Sequence, residues 1–449
     1  MERLAKQNNV VLLFDNFSTD SQALLDSFQI AGYECPAVVI EDDGFLPDGV
    51  MSVYGSFLGD FKGDGARPKY FNQVKIPDYW QIRGTNNSGE IRDLNRLRGR
   101  IFYAEPLHKR LVKVVDWYDE RGVVRSSDHY NRYGAVWART TFNAKGHKVN
   151  KSYFSAAGQE VIVENFVTGD IILNEGDEVK FFRTKTDFAA YFLKKKGLDQ
   201  RRIFFNSLST PFFVSNALMA SKKSDVLFWQ EPIRDEIPGN MRIILKGEAP
   251  RAGKILVQKR RSYERLIELG ADPGIVGKQG FLYPFKRKNR HRAEALICTN
   301  SDQIEKCREI VEALPQMHFS IAALTEMSSK LLAMGNYDNV TLYPGVKMKI
   351  LDRLFEKCDW YLDINYGTEI VSAVRRAFLN NQLIYAFDKT VHNADYVAGE
   401  SIYAPENAGH MIEDMKKVLS DTDLMDEYVK RQQEAAMSEC VKAYEEILC

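Results

Sequence analysis

The chain has 449 residues, enough for two or three domains, each with a full-sized core. Its composition is globular, with 45% hydrophobic and 27% charged residues, and 61 Lys and Arg are matched by 61 Asp and Glu. No global field therefore favours nucleic acid or an anionic membrane, and the local basic clusters (Lys194 to Lys196, Arg201-Arg202, Lys286 to Arg292) read as solvated faces.

The first sixty residues alternate buried strand and helix. "VVLLFD" (10–15) leads through Ser18 and Thr19, both good N-cap types, into "DSQALLDSFQIAGY" and then the strand "PAVVIED" (36–42). Continuous β-branched runs joined by helices predict a parallel sheet covered on both faces.

From about residue 69 to 183 the texture changes to short alternating strands. Gly122, Gly134, Gly146 and Gly158 stand twelve apart, each after an aromatic and a few polar residues. Such a unit predicts a hairpin in which glycine supplies the positive φ of the turn, and four in series predict an antiparallel meander. Two readings stand side by side: an ordinary glycine-turned sheet, or a platform for another protein. On the second, Trp117, Tyr130, Tyr133 and Trp137 are the exposed aromatics expected at the interface.

Helix and strand alternate again from residue 184, with strands expected at 202–207, 225–231 and 254–258 and a helix over "STPFFVSNALMAS", so the meander is inserted in the first α/β domain. A second alternating domain runs from "EALICTN" through the helix "SDQIEKCREIVEALP" to "WYLDINYGTEIVSAVRRAFLNNQLIYAFD", where a helix is expected to begin at Thr368-Glu369. A single tail helix is expected from about Leu424 to the C-terminus. The expected organisation is a first domain over 1–68 and 184–277, the meander over 69–183, a second domain over 278–423 and a crossover helix over 424–449.

Six cysteines lie far apart with no metal-ligand spacing, which predicts reduced thiols and no metal. The apolar run at Val10 to Phe14 is too short for a signal sequence, and nothing approaches the roughly 18 apolar residues that cross a bilayer. A cytoplasmic location is expected, with peripheral association at the inner membrane face as a further expectation. Glu231, Asp42, Asp43 and Glu326 are carboxylates at strand or loop ends, where they could act as acids or bases or hydrogen-bond a sugar or peptide. Ser207, Ser209 and Thr210 could cap a helix or meet an acceptor backbone. His129 reads as a sheet-surface residue.

The order of elements from Asn339 onward resembles the second half of a two-Rossmann (GT-B) glycosyltransferase: a strand ending in Pro344-Gly345, a glycine loop at Gly367, an Asp388 to Asn393 loop and "YAPEN" before a helix. The fold class implied is α/β, two Rossmann-like domains with an antiparallel β-meander inserted in the first. In the retaining branch of that family two glutamates flank the glycine loop, and an Arg and a Lys after the domain's first strand neutralise the leaving diphosphate, a dominant electrostatic contribution. Superposing the glycine loops puts Ile364 and Ser372 where the glutamates belong, and Asn300 and Glu305 near the cationic positions. Glu369 on a helix would point about 60° away from Ser372. Both requirements fail, unless Lys286, Arg287 and Lys288 supply a relocated donor site.

A narrower resemblance covers about residues 36 to 400. "VIEDDGFLPDGV", "KRLVKVVDWYDERGVVRSSDHYNRYG", "VENFVTGDIIL", "NSLSTPFFVSNAL", "GFLYPFKR" and "LTEMSS" are similar to the stabilising B subunit of the two-component peptide O-GlcNAc transferase that modifies serine-rich-repeat adhesins exported by the accessory Sec system. The resemblance implies a non-catalytic chain without cofactor. It implies a catalytic A subunit that binds UDP-GlcNAc, a heterotetramer with two of each subunit, and subunit contact through the meander. It also implies that this chain holds the Ser/Thr-rich acceptor; contact with GlcNAc already attached to the acceptor is a separate expectation for the cleft, left open by the sequence. The expected acceptor residues are Asn365, Gly367, Thr368 and Glu369 facing an interdomain cleft, Thr325 and Glu326 beside them, and Ser207 and Ser209. The alternatives are a self-sufficient retaining transferase with moved catalytic groups and a sugar-binding chaperone module without a transferase partner.

Overall fold

A computed structural model of the protein describes residues 8–219 and 222–448. They fall into two compact units. The first runs to Val257 and adds Arg265–Gly277 and Leu448; the second comprises Gln258–Glu264 and Lys278–Ile447.

The first unit opens with β1 (Val10–Asn16), α1 (Thr19–Ile30), β2 (Ala37–Glu41) and β3 (Val50–Ser52). Five consecutive buried residues in β1 show a strand covered on both faces, as its unbroken apolar run predicts. Ser18 Oγ accepts the Ser21 N–H at 3.1 Å and starts α1 as an N-cap.

Ten strands follow: β4 (Gln81–Gly84), β5 (Ser88–Asp93), β6 (Arg96–Tyr103), β7 (Val112–Tyr118), β8 (Val124–Tyr130), β9 (Val136–Phe142), β10 (Lys148–Phe154), β11 (Glu160–Asn165), β12 (Ile171–Glu175) and β13 (Glu178–Phe182). They form one sheet in strict chain order, the predicted meander. Gly122, Gly134, Gly146 and Gly158 all have φ between 78° and 82°, the left-handed value that glycine tolerates best. Each stands three residues after Asp119, Asn131, Asn143 or Ser155, whose side-chain oxygen accepts a backbone N–H across the turn. Seven residues of strand and five of turn make the period of twelve.

The unit is completed by α2 (Lys185–Lys195), β14 (Arg202–Phe205), α3 (Thr210–Ala217), β15 (Asp225–Trp229), α4 (Gly239–Leu245), β16 (Ala252–Val257), α5 (Arg260–Glu268), whose last residues alone belong here, and β17 (Val276–Lys278). The sheet order β17-β16-β15-β14-β1-β2-β3 places the topological switch between β1 and β14. At its amino end Asp225 and Arg251, both buried, form an ion pair at 2.8 Å.

The second unit contains β18 (Glu294–Thr299), α6 (Cys307–Ala313), β19 (His318–Ala323), α7 (Ser329–Leu332), β20 (Val340–Tyr343), α8 (Met348–Lys357), β21 (Trp360–Asp363), α9 (Ala373–Leu379), β22 (Leu383–Phe387), β23 (Ile402–Tyr403), α10 (Ala408–Ser420), α11 (Thr422–Ala435) and α12 (Val441–Leu448). Its strands are parallel in the order β20-β19-β18-β21-β22-β23, so the switch lies between β18 and β21. Neighbouring residues such as Leu296 and Ile297, or Tyr361 and Leu362, enter different apolar cores, because strand side chains alternate between faces.

Three local expectations are corrected. The tail is two helices: Met437 adopts φ 54°, and the link pairs with the segment at Phe281, whose N–H donates to Met437 O at 3.0 Å. The helix expected from Thr368 starts at Ala373, because Val371 and Ser372 turn left-handed at φ 47° and 52°. The helix expected from Ser301 starts at Cys307, because residues 303 to 305 bond across to residues 364 to 366.

Among the described residues no helix is long and apolar enough to cross a membrane, and no three His, Cys, Asp or Glu residues cluster as metal ligands. Cys35, Cys298, Cys307 and Cys358 are buried free thiols and Cys440 is an exposed one; Cys449 lies outside the described residues.

Candidate functional site

In the second unit, the loops that follow β18 and β21 meet at the switch point, where open parallel sheets bind ligands. Here they bond to each other. Asn300 Nδ2 donates to Thr368 Oγ1 at 2.7 Å, and the Tyr366 hydroxyl donates to the Glu305 carboxylate. The Tyr366 N–H donates to Gln303 O at 3.0 Å, and the Glu305 N–H to Ile364 O at 2.8 Å. A Cβ at Gly367 would overlap Asn300 Oδ1, so glycine is what lets the loops close.

The expected acceptor residues fare differently. Asn365 is 2% exposed and its Oδ1 lies 2.7 Å from Thr299 Oγ1, so it ties two strand ends together and is not an available ligand. Thr368 is exposed and Gly367 half-buried. Glu369 is half-buried and its Oε1 accepts the Val374 N–H at 2.9 Å, capping α9. Burial raises its pKa above the ordinary value. Thr325 and Glu326 are exposed beyond the end of β19, and among the described residues no hydrogen bond joins them to the 365–369 loop.

Sequence reasoning missed the pair beneath this loop. Asp363, the last residue of β21 and 1% exposed, accepts the His392 N–H at 2.7 Å and faces His392 Nδ1 at 2.6 Å. His392 Nε2 lies 2.7 Å from Gly367 O. The hydrogen bond to Asp363 raises the imidazole pKa to about 9. No motif announces a pair 29 residues apart.

The relocated donor site is corrected by geometry. Arg287 donates to Asp359 Oδ1 at 2.5 Å, and Arg292 Nε donates to Asp359 Oδ2 at 3.0 Å. Asp359 precedes β21, so this basic segment is anchored at the amino end of the sheet, opposite the switch-point loops.

In the first unit, Ser207 and Ser209 follow β14 and line a cavity of about 850 Å³ with Trp229, Glu231 and Ile233. Ser207 is buried and its Oγ accepts the Ser209 N–H at 3.2 Å, while Ser209 is exposed. The two serines lie in the first unit and the other six expected acceptor residues in the second. Asp42 Oδ1 accepts the Gly44 N–H at 2.7 Å in a turn, and Asp43 pairs with Lys113 at 2.6 Å. His129 is half-buried with Nε2 2.9 Å from Thr140 Oγ1, and burial lowers its pKa to about 3, so it stays neutral.

On the meander, Tyr130 is 4% and Trp137 is 3% exposed. Tyr130 packs with Ile91, Ile101 and Val115, and Trp137 against the Tyr153 ring, so both are core residues rather than the exposed aromatics expected. Trp117 is half-buried and donates to Asp128 Oδ2 at 2.9 Å; Tyr133 is half-exposed beneath Arg132. Exposed apolar residues lie elsewhere: Ile172, Val179 and Phe181 on β12 and β13, with Ile172 directly opposite Phe181, and also Leu94, Phe102, Phe166 and Val167.

Two Rossmann-like units with a ten-stranded antiparallel insertion define a chain of GT-B type, here with its second switch point closed by its own loops. Domain descriptions match along its length: the GtfB N-terminal domain over 11–57, the GtfB middle domain over 80–183, the GtfB third domain over 185–269 and the GftB/GlyA-F C-terminal domain over 295–432. The chain is 42% identical over 442 residues to the UDP-N-acetylglucosamine–peptide N-acetylglucosaminyltransferase stabilizing protein GtfB of Streptococcus gordonii, covering 98% of both. It is 43% identical over 441 residues to the protein of the same description from Streptococcus agalactiae, covering 98% of this chain and 99% of that one. It superposes on a chain of the crystal structure described as the GtfA/B complex bound to UDP and GlcNAc with a TM-score of 0.92 and 41% identity, over 97% of this chain and 98% of that one. The chain belongs to the GtfB family of transferase-stabilising proteins, a non-catalytic family by the description its members carry.

Proposed function

We propose that this chain is the non-catalytic subunit of a two-component UDP-GlcNAc:peptide O-GlcNAc transferase, assembling with a catalytic subunit two-to-two and helping to hold a Ser/Thr-rich adhesin acceptor before export. The observation that carries the reading is the closure of the second switch point. Where a retaining transferase needs cationic side chains for a diphosphate, Asn300 and Glu305 are bonded to Thr368 and Tyr366. A carboxylate at that place repels a diphosphate.

The acceptor contacts assigned are neutral hydrogen-bonding groups: Thr368 and the Gly367 backbone in the second unit, and Ser209 beside the first unit's cavity. Such groups suit hydroxyls, amides and an acetamido sugar attached to the acceptor. The catalytic partner is assigned to the meander, with Ile172, Val179 and Phe181 as apolar anchors in place of the buried Tyr130 and Trp137.

Calorimetry of the full chain with UDP-GlcNAc is expected to show no binding at up to millimolar ligand. Co-purification of the catalytic subunit is expected with the wild type and to fall for Ile172→Asp with Phe181→Asp. Micromolar UDP-GlcNAc affinity, which needs about 8 kcal/mol, would sink the non-catalytic reading. Undiminished co-purification would move the partner off this face.

A further inference from the structure

Among the described residues, both hydrogen-bond contacts of the His392 ring are to acceptors. Nδ1 faces a carboxylate oxygen of Asp363 at 2.6 Å and Nε2 faces the Gly367 carbonyl at 2.7 Å. A carbonyl never donates, and the proton shared with Asp363 belongs to the more basic imidazole. Satisfying both contacts requires hydrogen on both ring nitrogens, the imidazolium form. The charged groups acting on the ring are Asp363 at the end of β21 and Glu369 in the facing loop, both acidic, and both favour that form.

The loop that His392 grips holds a conformation its sequence resists. Val371 and Ser372 sit at φ 47° and 52°. A β-branched residue is a true outlier there, and such a backbone persists only when its surroundings restrain it. Beside the backbone bonds to Gln303 and from Glu305, side chains restrain it: Thr299 on Asn365, Asn300 on Thr368, Glu305 on Tyr366, Glu369 on Val374, and His392 on Gly367. Among the described residues, His392 is the one that joins the loop to the buried strand end through an ion pair, since its Nδ1 is anchored on Asp363.

We infer that protonated His392 is the positioning residue of the switch-point loop, tying Gly367 to Asp363 so that Thr368 is presented in one fixed geometry. This rests on the assignment of the loop to acceptor binding. The direction of pH dependence follows. A histidine whose folded pKa is raised from 6.5 to about 9 contributes fully below pH 6.5, and its contribution fades as pH rises through about 9. Loss of the proton leaves one of the two contacts without a donor.

The test uses full-length protein with ¹⁵N-labelled histidine rings. In the wild type His392 is expected to show two protonated ring nitrogens at pH 7.5 and a titration midpoint near 9. A midpoint near 6.5 would overturn the inference without any variant. His392→Gln, which keeps one donor group, is expected to speed amide exchange in residues 365–372 roughly tenfold, the worth of one hydrogen bond from a charged donor. Unchanged exchange there would also overturn it. Affinity for a Ser/Thr-rich peptide is expected to fall several-fold in the same variant and, in the wild type alone, to step down as pH passes about 9. If titration and exchange behave as expected while peptide affinity does not move, the His392 tie stands and the acceptor assignment of the loop fails.

Discussion

Replacing Arg251 with leucine is expected to cost the first unit about 3–5 kcal/mol, the range for stranding one partner of a buried ion pair. Arg251 is 5% and Asp225 1% exposed. The guanidinium donates to Asp225 at 2.8 and 3.2 Å, and also to the carbonyls of Asp199 at 3.1 Å, Met219 at 2.9 Å and Arg201 at 2.5 Å. Leucine removes all five bonds. Asp225 keeps only the Ile203 N–H at 2.9 Å and the Ser215 hydroxyl at 2.8 Å, two neutral donors against a full buried charge. An exposed pair would be worth no more than about 1 kcal/mol, so the magnitude separates the two cases. Urea unfolding followed by tryptophan fluorescence reads the right unit, since Trp80, Trp117, Trp137 and Trp229 lie in it and only Trp360 in the other. Because the cost is mostly the stranded carboxylate, Arg251→Leu with Asp225→Leu should be less destabilising than Arg251→Leu alone. The pair sits at the amino ends of β15 and β16, away from Ser207, so partner assembly at low temperature should survive. A loss below about 1 kcal/mol, or a double variant worse than the single, would refute the reasoning.

Two further stability predictions concern single contacts. Gly134→Ala should cost at least twice as much as Gly122→Ala in thermal or urea unfolding. Both incur the left-handed penalty of roughly 1–2 kcal/mol, but only at Gly134 (φ 82°) would the new methyl strike a backbone atom, the Arg67 carbonyl. Asp414→Ala should destabilise the second unit more than Tyr385→Phe does. One carboxylate accepts from Tyr385 at 2.7 Å, Tyr403 at 3.1 Å and Tyr428 at 2.9 Å, and removing it orphans the buried Tyr385 hydroxyl at about 1–3 kcal/mol.

What the sequence made legible, it did through local rules. The twelve-residue glycine period gives the hairpins away, because positive φ is a demand a single residue must meet. The Asp119, Asn131, Asn143 and Ser155 series carries the same information and could have been read with it. The expectation that the paired glutamates are missing was also read there, from a superposition of glycine loops that puts Ile364 and Ser372 in their places. Exposure on the meander was not. Alternation says that Tyr130 and Trp137 share faces with their second neighbours, but nothing local says which face the rest of the unit covers. The start of α9 was misplaced because Glu369 reads as a first-turn acid and instead caps from outside. His392 escaped because its meaning depends on Asp363 and Gly367, brought to it only by the parallel pairing of β21 with β22.

The turn chemistry of the meander makes its length adjustable. Each strand from β8 to β10 with its turn repeats one twelve-residue pattern, and the sheet is also held from outside it, where the Arg132 N–H donates to Gly44 O at 2.8 Å and the Tyr153 ring stacks on Tyr54. Inserting one module reverses the direction in which the chain leaves the sheet, whereas inserting two, 24 residues, restores both the direction and the inward-facing set. Growth or shrinkage in steps of two hairpin strands therefore keeps the chain direction and leaves the rest of the unit undisturbed only where it spares the 131–135 turn and Tyr153, which hold the sheet to residues 44–54.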